Sequence, residues 1–219
     1  MGDGSVLRVF AFRPVGSETA LDALLRDDLM PPFLELPGLV DALVGRHNEG
    51  AGDERIVASV WESREAMTGD LGEASLVAPF QLEQAGSIQD GRLEVLPVAV
   101  SVRVTAAAAP TILRVFRGRV QEGQLDSYVR QAHDGALADA DASTGLVALY
   151  LGIERPDRFL TVSAWMHWDA IERATGGDVH HPIATRHSER LITATAEHYE
   201  ILPSTARPTA ELQPSKAAG

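Results

Sequence analysis

Histidine changes charge near neutral pH, so its placement marks where proton transfer or ligation could occur. His133, His167, His180, His181, His187 and His198 all stand in the second half of the chain, and only His47 stands in the first. Three of them fall in Gly176-Gly177-Asp178-Val179-His180-His181-Pro182-Ile183-Ala184-Thr185-Arg186-His187. This stretch reads as a glycine-rich turn feeding a helix, with Pro182 near its first turn. On such a helix His180 and His187 share a face. With His181 they are candidates for a base, a proton shuttle, hydrogen-bond donors to a substrate, or ligands to a metal or haem. The alternative for the same residues is a solvated helix start.

Arg8 and Arg114 occur in matching runs, Val6-Leu7-Arg8-Val9-Phe10 and Ile112-Leu113-Arg114-Val115-Phe116. Strand alternation puts each arginine on the face of Phe10 or Phe116. Arg114 is therefore either a clamp for a phenolate or other anion, or half of an ion pair between the two halves. Tyr128 and His133 fall on one long helical stretch, but their spacing does not place both on one stripe. Trp61 and Trp165 end matching strands, as core anchors or as walls of a pocket.

The elements that position these residues occur twice. Ile56-Val57-Ala58-Ser59-Val60-Trp61 is answered by Leu160-Thr161-Val162-Ser163-Ala164-Trp165, Gly38-Leu39 by Gly145-Leu146, and Glu94-Val95-Leu96-Pro97 by Glu200-Ile201-Leu202-Pro203. The matched positions stand 104 to 107 residues apart. A repeat of that size is a whole small domain, so the pattern predicts two similar folds packed as a built-in dimer. In the first half, Val6 to Phe12 reads as a strand, and Ala20 to Leu29 as a helix behind the cap Ser17. Leu39 to Val44 and Arg55 to Trp61 read as a hairpin, turning at Gly50 to Asp53. A helix opens at Ser63 and continues loosely through Leu82, and a last strand covers Arg92 to Val98, running on towards Val104. The second half repeats this order, with helical pieces reaching Leu191 and a strand near Ala196 to Leu202. The expected domains are 1–105 and 111–203, joined by a linker at 106–110 and followed by a disordered tail at 204–219.

Each βαββαβ unit gives a four-stranded antiparallel sheet with helices on one face. Packing the two sheets face to face covers the other face of both, which predicts an α+β fold of two ferredoxin-like repeats forming an intramolecular, pseudo-dimeric α+β barrel.

Composition removes several chemistries. The chain has no cysteine, which excludes disulfides, thiolate catalysis and cysteine metal sites. Lys216, in the tail, is the only lysine, so no Schiff base forms in the folded part. A net charge of -12 argues against nucleic acid and anionic lipid as partners. Neither a membrane span nor a secretory signal is visible, which gives a cytoplasmic expectation. No phosphate-binding loop, nucleotide fingerprint, nucleophile elbow or metalloprotease helix is present.

Val57-Ala58-Ser59-Val60-Trp61-Glu62-Ser63-Arg64-Glu65-Ala66, a strand that ends on Trp and enters a helix, resembles the signature of the antibiotic biosynthesis monooxygenase-like domains of the dimeric α+β barrel superfamily. Trp165-Met166-His167-Trp168-Asp169-Ala170 is a looser copy. The likeness covers Val6 to Pro97 and Ile112 to Pro203. It implies a fold shared by cofactor-free oxygenases of polyketide-derived phenols, haem-degrading enzymes and proteins without an assigned reaction. It also implies that Trp61 and Trp165 border a pocket between sheet and helices. The leading expectation is a cofactor-independent monooxygenase acting on an aromatic, polyketide-type phenol. His180, His181 or His187 would be its base, with Arg114, Tyr128, His133, Trp61 and Trp165 about the substrate. A haem-binding or haem-degrading protein and a non-enzymatic binder of a small aromatic ligand are the alternatives. A further homodimer is compatible with each.

Overall fold

Strands whose apolar residues alternate in sequence turn out to be covered on both faces. In β1 (Val6–Pro14), Leu7, Val9 and Ala11 fill a closed interior, while Val6, Phe10 and Phe12 pack outward under helices. The computed structural model describes residues 4–47, 53–69, 86–104, 108–138, 144–182 and 190–203. His187, the helix expected beyond Gly69, most of the turn at Gly50 to Asp53, part of the linker and the tail lie outside the described residues.

After β1 come α1 (Glu18–Ala23), a π-helical turn at Leu24–Leu29, α2 (Met30–Leu34), β2 (Leu39–His47), β3 (Arg55–Trp61), α3 (Arg64–Thr68) and β4 (Ile88–Arg103). The second half supplies β5 (Ile112–Val120), α4 (Leu125–Ala138), β6 (Leu146–Glu154), β7 (Arg158–Trp165), α5 (Trp168–Thr175) and β8 (Leu191–Ile201). Side chains cap the first turns of α1, α3 and α5. Ser17 and Ser63 accept the backbone N–H groups of Ala20 and Ala66, and His167 accepts that of Ala170 through Nδ1 at 3.2 Å.

The eight antiparallel strands close in the order β1-β3-β2-β8-β5-β7-β6-β4. Within each half the order is the same: second, third, first, fourth. The halves meet at two seams, β2 against β8 and β6 against β4, so the second strand of each half pairs with the fourth of the other. Each seam is tight at a glycine. A Cβ on Gly45 would come within 2.6 Å of the Tyr199 Cβ, and one on Gly152 within 2.8 Å of the Leu96 Cβ.

Several boundaries differ from the sequence reading. Leu191 begins β8 rather than ending helical pieces. Residues 178–182 form a turn and bend, and the helix expected from Pro182 onward lies outside the described residues. The matched quartets Glu94-Val95-Leu96-Pro97 and Glu200-Ile201-Leu202-Pro203 do not occupy equivalent places. Leu7 pairs with Leu96 while Leu113 pairs with Tyr199, and Arg8 pairs with Val95 while Arg114 pairs with His198. Strand pairing, which fixes what each side chain faces, therefore sets Val95 against His198. Among the described residues no helix is long and apolar enough to cross a membrane.

Candidate functional site

Three neighbouring strands of the second half build a polar layer beneath its helices. Arg114 of β5 lies opposite Ser163 of β7 on one side and opposite His198 of β8 on the other. Arg114 is 1% and His198 0% exposed. Two residues along β5, the ring of Phe116 lies 5.0 Å below the guanidinium carbon. Burial pulls the guanidinium down to about 10, which leaves it cationic at neutral pH.

Arg114 fastens a loop over this layer. Its Nε donates to the carbonyl of Val179 at 3.3 Å, and its terminal nitrogen donates to that of His181 at 2.5 Å. Gly176 turns the chain out of α5 in the left-handed conformation that only glycine adopts without strain. Asp178 then shapes the turn by accepting the backbone N–H groups of His180, through its side chain, and His181, through its carbonyl. The result sets the His180 ring edge-on to His198 at 5.5 Å, while Trp168 at the start of α5 covers His198 from another side at 5.0 Å. An exposed imidazole thus touches a buried one that lies beside a buried cation.

Helix α4 closes the far end of the layer. Tyr128 lies 4.4 Å from Phe159 between ring centroids, and Phe159 lies 5.5 Å from Phe116. Burial raises the Tyr128 hydroxyl above the usual tyrosine range, against smaller opposing contributions from its hydrogen bond with Thr161 and from Arg114.

Apart from His187, each residue expected from the sequence has a definite place. Arg114 is central, but its bonds go to carbonyls of its own half and not to an ion pair between halves. Tyr128 faces the layer. His133 does not: it is exposed on α4 beside Asp134. His180 and His181 are exposed; the His180 ring lies against buried His198 of the layer, and the His181 ring lies beside Asp178. Trp165 and Trp61 are buried anchors whose indole N–H groups donate to Ser163 at 2.9 Å and Ser59 at 3.1 Å. The residue that sequence reasoning missed is His198. Its signal was present, since a strand at Ala196 to Leu202 alternates it with Tyr199, but the face it takes depends on which strand pairs with β8. Among the described residues no three His, Asp or Glu side chains converge as a metal would require.

No protein-family model and no curated protein sequence matches the chain. Its fold is shared with solved structures of very different sequence. A candidate monooxygenase from Lactobacillus acidophilus covers 90% of this chain with 94% of its own length, at a TM-score of 0.70 and 8% identity. The two share a fold, which in this chain is a closed barrel of eight antiparallel strands with helices outside it. An anthrone oxidase-like protein shares the fold across 96% of this chain and 98% of its own (TM-score 0.58, 12% identity). So does a mutant chlorite dismutase from Candidatus Nitrospira defluvii, solved with cyanide, over 94% of each chain (TM-score 0.56, 9% identity).

Proposed function

We propose that this monooxygenase-like barrel is an internally duplicated pseudo-dimer whose second half oxidises a polycyclic phenol or anthrone with molecular oxygen and no bound cofactor. The observation that carries the reading is the pairing of His198 with Arg114 under the turn that bears His180. A buried imidazole takes the acidic proton of the substrate and passes it to His180 at the surface. The buried cation holds the enolate or phenolate that remains, and with water excluded that charge pair is strong. The electron-rich anion then reduces oxygen directly. For an anthrone the balance is one CH2 group and one O2 giving one ketone and one water. One oxygen atom stays on carbon and the other leaves with both hydrogens. The shared fold with an anthrone oxidase-like protein agrees with this substrate class; the warrant for this chain remains its own residues.

Haem is the second reading, favoured by the chlorite dismutase likeness. Of the histidines expected as ligands, His180 and His181 are exposed at the surface.

Oxygen uptake with dithranol, an anthrone bearing two phenols, tests the proposal. Uptake above the uncatalysed rate, with one atom of labelled oxygen retained in the quinone, supports it. A stoichiometric Soret band on adding haemin, together with activity only in its presence, would replace it with the haem reading.

A further inference from the structure

A second opening lies outside the layer around Arg114. Where β2 meets β8, a cleft of about 600 Å³ runs between α1 with its π-helical turn and the first residues of β5 and α5. That volume suits an organic molecule of two or three rings. The second half supplies an apolar side, with Ile112, Leu202 and the half-buried indole of Trp168. The first half supplies two guanidinium groups, Arg26 and Arg46.

The two arginines are engaged differently. Arg46 bonds Glu200 across the seam at 2.6 Å and lies 3.9 Å from Asp22, so its charge already serves to hold the halves together. Arg26 pairs with its sequence neighbour Asp27, an exposed contact outside the cleft lining that a ligand anion displaces at little cost. Arg26 also sits in the π-helical turn, where Met30 donates to the carbonyl of Leu25. Such widened turns are rare and concentrate at functional sites. An indole on one wall and a planar guanidinium on the other recognise a flat hydrocarbon with an anionic edge.

We propose that this seam cleft binds a flat polycyclic aromatic acid, with its rings against Trp168 and its carboxylate or phenolate on Arg26. The site would then be made by both halves and share the Trp168 wall with His198. It stands on the geometry of the cleft and does not require that the second half oxidise anything.

The test is calorimetric titration of the full-length protein with 2-naphthoate, which has no oxidisable hydroxyl, and with the uncharged 2-naphthamide. The expected result is saturable one-to-one binding of the acid, with the amide at least about tenfold weaker. Arg26→Leu, on an exposed turn that tolerates the change, should weaken the acid by about tenfold and the amide hardly at all. Trp168→Leu should weaken both, and Arg119→Gln, on a remote exposed arginine, neither. Absence of saturable binding, or equal affinity for acid and amide that survives Arg26→Leu, would overturn the proposal.

Discussion

Matching positions in the two halves carry opposite chemistries. Beneath α1, the first half ties helix to sheet with charge: Arg55, 0% exposed, donates to both carboxylate oxygens of Asp22 at 2.6 and 3.1 Å, to Glu18 and to the Asp53 carbonyl. Beneath α4, the second half ties helix to sheet with rings, Tyr128 on Phe159. Strand register makes Arg55 and Phe159 counterparts, since they face Phe12 and Gly118, each four residues beyond the shared arginine of its strand. At the other end of the layer the polarity reverses. The first half places Val57 and Val95 where the second places Thr161 and His198. Arg8 and Arg114, Ser59 and Ser163, and Trp61 and Trp165 stay the same. Charge balanced by charge is how a fold closes a buried polar site, and the first half does this with Arg55. The second half instead brings an imidazole to its buried arginine and leads a second imidazole to the surface, an arrangement suited to moving a proton.

The shared frame is tested most severely at the seams. Gly45→Val and Gly152→Val each drive a side chain into a backbone-adjacent carbon, and each should cost about 3 kcal/mol or more. Similar losses in urea unfolding would sharpen the comparison, and a loss at one seam alone would break it. Next, Asp22→Asn leaves buried Arg55 underpaired and should cost about 3 kcal/mol, whereas Tyr128→Phe removes one hydroxyl contact and should cost about 1 kcal/mol. Equal costs would mean that the two helix ties are not different in kind. Arg114→Met should change global stability less, because water can satisfy the carbonyls of Val179 and His181 in an exposed turn. Amide exchange at 178–181 should nevertheless quicken by roughly tenfold as the turn detaches.

The smallest effect concerns alkaline pH. The hydroxyls of Tyr128, Tyr150 and Tyr199, the chain's three tyrosines, are all pushed up, first by burial. The unfolded chain releases these protons near pH 10 while the folded chain keeps them, so stability should be level below that point and fall above it. Tyr128→Phe should reduce that fall by about 1 kcal/mol between pH 10 and 11, read from unfolding midpoints. An unchanged slope would place the Tyr128 hydroxyl in a wetter environment.

Much of this frame was legible in the sequence, for physical reasons. Ser17 and Ser63 signalled helix starts, period-two runs gave the strands, and Arg8 and Arg114 fell on the faces of Phe10 and Phe116 because strand alternation fixes them. Other features had no local signal. The π-helical turn at Leu24–Leu29 keeps ordinary helical spacing in its apolar residues. The turn at 178–181 had no local signal for what holds it, because its carbonyls are bonded by Arg114, distant in sequence. The Glu-Val-Leu-Pro likeness misled by three residues because similarity along the chain does not set cross-strand register. The same error hid His198, whose counterpart is Val95.

That counterpart supplies the decisive experiment: dithranol-dependent oxygen uptake by His198→Val, which gives the second half the residue of the first, with folding checked by circular dichroism. If His198 is the base, the rate above background should fall by about a hundredfold or more while the fold persists. A folded variant that keeps the wild-type rate would contradict the assignment of chemistry to this layer.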